Sequence, residues 1–77
     1  MAAVAVIVPV LDERRQLPML AVELERLRDR AEVVVVDGGS ADGTRAALDR
    51  LGVAVVDAPR GRATQMNAGA RASSAPI

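Results

Sequence analysis

The feature that most constrains this chain is an unbroken apolar run at residues 33–36, followed at once by Asp37, Gly38 and Gly39. Four valines in a row leave no polar side chain on either face, a pattern typical of a strand buried on both sides within a parallel sheet. Asp37 ends the run with a charge, and the glycines allow a sharp turn. Ligands of open α/β sheets bind just outside the carboxyl ends of strands, which makes Asp37 a candidate site residue. Alternatively, its carboxylate serves the turn and accepts the N–H groups of Gly39 or Ser40.

The rest of the chain alternates between apolar runs and amphipathic segments, and this predicts three strands that alternate with three helices. The strands are expected at 4–10, 33–36 and 53–56, and the first two helices at about 16–30 and 42–51. Residues 60–72 are expected to form a loop that runs into a third helix. This alternation favours a parallel sheet with right-handed crossovers. The fold class is therefore α/β: a Rossmann-like, three-layer α/β/α half domain with three parallel strands in the order 3-2-1.

Composition excludes several classes of function. The chain has 77 residues and no Cys, His, Phe, Tyr or Trp, and its ten arginines balance ten acidic residues. It therefore lacks thiolate chemistry, the commonest general base, the basic excess of a nucleic-acid module and the aromatic rings on which bases stack. The apolar N-terminal run is too short to cross a bilayer and lacks the basic residues of a signal peptide, so we expect a cytoplasmic protein.

Three blocks of sequence resemble glycosyltransferase family 2, the nucleotide-sugar-dependent enzymes with the GT-A fold. They are residues 36–44, the Arg60-Gly61-Arg62 segment and residues 65–70, and the resemblance extends from residue 4 to about residue 72. Their form is similar to that of one bacterial subgroup of the family. The resemblance implies transfer of a sugar from a nucleoside-diphosphate sugar to an acceptor hydroxyl. It also implies a divalent metal, Mg or Mn, in the complete enzyme, with its ligands outside this chain.

The resemblance includes two predicted strand ends that correspond to the family's nucleotide pocket. Pro9 to Glu13 is similar to the family's Pro-x-x-Asn-Glu, which lines that pocket, with Asp12 replacing the family's Asn. Asp12 and Glu13 could instead begin a helix, where acids favour the positive end of the dipole. At the second tip the family has two acids, and the second is credited with the uracil contact. Gly38 stands at that second position here, so Asp37 is the expected contact and uridine specificity is not implied.

Arg60 and Arg62 stand just before or at the start of the third predicted helix. Two cations at the positive end of a helix dipole are unfavourable by a few tenths of a kcal/mol each, whereas an anion there gains from the dipole, free N–H groups and guanidinium groups. A nucleotide diphosphate is the candidate, although the arginines could be solvated or one could pair with Asp57. The predicted nucleotide-binding residues are Pro9, Glu13, Asp37, Arg60 and Arg62.

Four other residues receive structural predictions. Ser40 or Asp42 is expected to cap the second helix, an interaction worth about 1 kcal/mol. Gly69 lies inside the third helix, where it costs about 1 kcal/mol relative to Ala, and this predicts close approach of a strand or a ligand. Met66 is expected in the core.

We expect residues 1–77 to be the N-terminal nucleotide-sugar-binding part of a glycosyltransferase domain and a fragment of a longer protein, because the predicted sheet lacks a fourth strand beside its first. No catalytic or metal-binding residue is assigned within the chain, and the isolated chain is not expected to transfer sugar. The sugar and the acceptor are not predicted, and peripheral association with the cytoplasmic membrane face stays open. Two alternatives remain: a receiver-like phosphoacceptor domain that uses Asp12, Glu13 and Asp57, or a non-catalytic nucleotide-binding remnant.

Overall fold

The computed structural model describes residues 4–73, in which strands and helices alternate. The elements are β1 (Ala5–Val10), a 3-10 turn (Arg14–Gln16), α1 (Leu17–Arg28), β2 (Glu32–Asp37), α2 (Thr44–Arg50), β3 (Ala54–Asp57) and α3 (Arg62–Ala72).

The three strands form one parallel sheet with β2 in the middle, which confirms the predicted order. The register pairs Val10 with Asp37 and Asp37 with Asp57. Since parallel strands all point the same way, these three residues mark the carboxyl edge of the sheet, and ligands of such sheets bind beyond this edge.

Both faces of β2 are covered by helices. Val33 and Val35 belong to the core cluster that also contains Leu24 of α1 and Leu48 of α2. Side chains alternate between the faces of a strand, so Val34 and Val36 point the other way, toward α3. All four valines are buried, with Val35 and Val36 completely so. The fold is therefore the predicted α/β/α arrangement, and cover on both faces explains why only valines lie between Glu32 and Asp37 in β2.

Gly69 is the point of closest approach between α3 and the sheet. A Cβ atom built on Gly69 would lie 2.3 Å from Cγ2 of Ile7 and 2.9 Å from Cγ2 of Val36. This confirms that the helical glycine serves close packing, and a strand rather than a ligand makes the contact. Met66 is 38% exposed, so its predicted core position was wrong. Gln65, one residue earlier and about 100° around the helix from Met66, takes the buried position of that turn.

Element boundaries differ from the predictions by one or two residues at most ends. α2 begins at Thr44 because Gly43 before it has a left-handed φ of 91°. β3 extends one residue further than expected, so Asp57 pairs within the sheet. Within residues 4–73, no helix is both long and apolar enough to cross a membrane.

We predict that Gly69→Ala destabilises the protein by roughly 1–3 kcal/mol, the usual cost of overpacking a core, despite the better helix propensity of Ala. The measurement is the free energy of unfolding in denaturant. Asn67→Ala, at an exposed position of the same helix, is the control and should be neutral or slightly stabilising. Stabilisation by Gly69→Ala would contradict the close approach of α3 to Ile7.

Candidate functional site

Gln65, in the first turn of α3, joins the carboxyl ends of β1 and β2. Its Nε2 donates to the carbonyl oxygens of Val10 and Val36, both at 3.0 Å. Its Oε1 accepts the N–H of Gly61 at 3.2 Å, and the side chain is buried. These bonds hold the turn before α3 against the carboxyl edge. We call this set of contacts the Gln65 clasp.

Asp37 lies at the end of β2 and is only 1% exposed. Its Oδ1 accepts the N–H groups of Gly39 at 2.8 Å and Ser40 at 2.7 Å, which confirms the turn role. Its Oδ2 is buried and finds no hydrogen-bond donor among residues 4–73. A buried acceptor without a partner costs about 1–3 kcal/mol, and more when charged. This oxygen therefore has acceptor capacity that residues 4–73 leave unused.

The loop after β1 is tied to the loop after β2. The backbone N–H of Asp12 donates to Oγ of Ser40 at 2.9 Å, and Oδ1 of Asp12 accepts the N–H of Ala41 at 2.8 Å. The N–H of Arg14 donates to Oδ2 of Asp42 at 3.1 Å. Asp12 thus connects two loops and does not begin a helix, and its φ of 52° is left-handed. The proposed capping role of Ser40 was wrong, because its hydroxyl is engaged by Asp12.

Asp42 does serve the start of α2. Its Oδ1 accepts the N–H of Thr44 at 3.0 Å and also bonds the Thr44 hydroxyl. The hydrogen bond from the Thr44 hydroxyl is the main reason that the pKa of Asp42 lies below its ordinary value of 3.8. Desolvation raises this pKa in part, and the backbone N–H groups of Arg14 and Thr44 each lower it by a smaller amount.

Asp57 at the end of β3 pairs with Arg45 of α2, not with Arg60 or Arg62 as the sequence had allowed. The Arg45 Nε lies 2.9 Å from Oδ1 of Asp57, and Arg45 also pairs with Asp49. The hydrogen bond with Asp57 raises the pKa of Arg45 above its usual value, and the charges of Asp57, Asp49 and Asp37 add to the shift. The carboxylate of Asp57 is therefore already neutralised from the α2 side.

Arg60, just before α3, and Arg62, its first residue, have no such partner. Arg60 and Arg62 are exposed, flank Gly61 and form no salt bridge with any residue between 4 and 73. Through Gly61 the Gln65 clasp brings this segment to the edge that holds Asp37.

The remaining predicted site residues belong to the first strand and the loop after it. Pro9 is the penultimate residue of β1, in register with Val36. Glu13 is half-buried after the end of β1, and its carbonyl accepts the N–H of Gln16 at 2.9 Å. The chain path thus places both near the carboxyl edge, and their contact with a nucleotide stays a prediction.

A comparison with protein families identifies the family to which this chain belongs. The family model described as Glycosyl transferase family 2 matches residues 5–77. The chain belongs to glycosyl transferase family 2. Searches of curated proteins and of solved structures gave no match. Membership implies, at the level of the family, an enzyme that moves a sugar from a nucleotide-sugar donor to an acceptor.

The geometry of this family 2 chain also argues against the receiver-like alternative. That alternative needs Asp12, Glu13 and Asp57 to gather around a metal ion. Instead, Asp57 pairs with Arg45 and Asp12 bonds Ala41. Residues 4–73 contain no group of three or more His, Cys, Asp or Glu side chains that could hold a metal. Asp12, Glu13 and Asp57 are therefore not gathered in the way that this alternative requires.

Gln65 is the site residue that sequence reasoning missed in this family 2 chain. It lies four residues before Gly69, so the two share one face of α3. A polar side chain on the face that packs against the sheet was the signal that could have revealed it, because a buried amide needs hydrogen-bond partners.

We predict that Asp42 contributes stability at neutral pH that is lost in acid. Its folded-state pKa is lowered, so the contribution is complete above the unfolded pKa and disappears as pH falls through the folded pKa. Asp42→Asn should flatten the decline in unfolding free energy from about pH 5 to about pH 2. Asp29→Asn, at an exposed position, is the control. An unchanged acid profile in Asp42→Asn would count against the Thr44 contact.

Proposed function

We propose that the carboxyl edge binds the nucleoside-diphosphate part of a sugar donor. The diphosphate lies against Arg60, Arg62 and the start of α3, and the nucleoside lies toward Asp37. The Gln65 clasp is the observation that supports this most strongly, because it joins the arginine-bearing turn to the ends of two strands.

The start of α3 has the charge and the donors that a diphosphate needs. The first turn contains no acidic residue, and no side chain caps the helix, so its first N–H groups lack helical partners. The helix dipole and the two unpaired guanidinium groups then act in the same direction on an anion. A diphosphate placed here relieves the repulsion between the arginines and the positive end of the helix.

Asp37 supplies the acceptor for the nucleoside. Its Oδ1 is saturated by the turn, whereas Oδ2 lacks a donor among residues 4–73. A ribose hydroxyl or a base N–H group satisfies such an oxygen with a charge-assisted hydrogen bond. Pro9 and Glu13, which end β1 and follow it, form the neighbouring wall in this proposal.

This part of the chain binds and orients the donor and carries no proposed acid–base step. A base for the acceptor hydroxyl and the ligands of a divalent cation belong, in this proposal, to other residues of a GT-A domain. The identities of the sugar, the base and the acceptor do not follow from these contacts.

We predict that Arg62→Ala in the full-length protein weakens nucleoside-diphosphate binding by roughly 1.5–3 kcal/mol, the value of a hydrogen bond to a charged group. Affinity for the free nucleoside should not change, because the nucleoside lacks phosphate. Isothermal titration with both ligands measures the difference.

Arg71→Ala is the matched control, since Arg71 is exposed on the same helix, about 13 Å further along its axis at 1.5 Å per residue. It should leave both affinities unchanged. Equal weakening of diphosphate and nucleoside by Arg62→Ala would show that Arg62 does not contact phosphate.

A further inference from the structure

The backbone conformation at position 38 does not require a glycine. Gly39, Gly43, Gly52 and Gly61 have positive φ angles, but Gly38 does not, so other residues can adopt its conformation. A Cβ built on Gly38 would lie 2.8 Å from Cδ and Oε1 of Gln65 and 2.9 Å from its Nε2. The amide of Gln65 therefore occupies the space into which a side chain at position 38 would extend.

The amide that fills this space has little capacity left for a ligand. Both hydrogens that Nε2 can donate are directed at backbone carbonyls, those of Val10 and Val36. Oε1 accepts the N–H of Gly61. Gln65 thus acts on the backbone around it, as a positioning residue and not as a donor to substrate.

The turn that Gln65 holds is one that the chain does not adopt easily. Gly61 has φ 138° and ψ 128°, a region that residues with a side chain rarely occupy. The bond to Oε1 of Gln65 fixes this turn relative to the carboxyl edge. Arg60 and Arg62 flank Gly61, so the direction in which they leave the backbone depends on the same bond.

We propose that Gly38 and Gln65 form a single positioning device for the two arginines. Because Gly38 has no side chain, the Gln65 amide can lie beside it. From there the amide hydrogen-bonds the Gly61 turn and the ends of β1 and β2. The atoms that a Cβ at position 38 would meet are the far end of a flexible side chain. A larger residue at 38 therefore expels the amide and breaks the clasp. Only the consequence for phosphate binding rests on the proposed function.

The first experiment tests the device without any ligand. Unfolding free energies are measured for Gly38→Ala, Gln65→Ala and the double variant. Since each change breaks the same hydrogen bonds, the double variant should lose little more than Gln65→Ala alone. Additive losses would overturn the coupling, because independent sites add.

Gly39→Ala is the matched control in this cycle. Gly39 is the next residue, and a Cβ on it would meet nothing within 4 Å, although its positive φ makes the substitution costly. Its effect should add to that of Gln65→Ala.

The second experiment tests the positioning role by titrating a nucleoside diphosphate into the full-length protein. Gln65→Met keeps the length of the side chain and removes its hydrogen bonds, so it tests the clasp without emptying the space. Arg62→Ala should weaken binding about tenfold or more in the native background. In the Gln65→Met background, Arg62→Ala should weaken binding by less than about twofold, which is the error within which independent substitutions add. The reason is that Arg62 no longer points toward the phosphate in that background.

The outcomes separate this inference from the proposed function. An equal loss on Arg62→Ala in both backgrounds would overturn the positioning role and leave the phosphate site intact. No loss in either background would overturn the phosphate site and with it the positioning of arginines for phosphate. The unfolding cycle would then still decide whether Gly38 and Gln65 are coupled. Circular dichroism of Gln65→Met confirms that the variants compared are folded.

Discussion

Burial of β2 on both faces is the constraint on which the rest of this structure depends. The four valines of this strand need helices above and below them and strands on either side, and α1, α2, α3, β1 and β3 supply that cover. Because the strand is fixed in this way, its end is fixed too. Asp37 is the charged residue that directly follows the four valines, and it lies where three strands end in register.

The carboxyl edge is built from polar contacts that each satisfy a backbone group. Asp37 serves the turn after β2, Asp12 connects two loops, and the Gln65 amide joins two strands to the turn before α3. After these contacts are made, the carboxylate oxygen Oδ2 of Asp37 and the guanidinium groups of Arg60 and Arg62 remain without partners among residues 4–73. This combination of an acceptor and two cations is the reason that we propose a nucleoside diphosphate as the ligand of this edge.

The sequence predicted those parts of the fold that follow from local pattern. The apolar run of β2 required a central strand, and Gly69 required close packing; both predictions are confirmed. The pairing of Arg45 with Asp57 could not be predicted, because it depends on how α2 lies against β3. The predictions for Ser40 and Met66 were wrong because they too depended on tertiary contacts. The Ser40 hydroxyl accepts the N–H of Asp12 from the loop after β1. In α3, Gln65 and not Met66 faces the sheet. The position of Gln65 on the helix face of Gly69 indicated burial, but its partners could not be predicted because they are backbone carbonyls of two distant strands.

We propose that a nucleoside diphosphate binds across the carboxyl edge, and a crystal structure of the full-length protein with that ligand would show where it binds. We expect phosphate oxygens within hydrogen-bond distance of Arg62 or Arg60 and of the first N–H groups of α3. We also expect a nucleoside hydroxyl or N–H group bonded to Oδ2 of Asp37. Phosphate bound elsewhere, for example at the start of α2 beside Thr44, with Oδ2 of Asp37 still without a donor, would show that the proposed site is wrong.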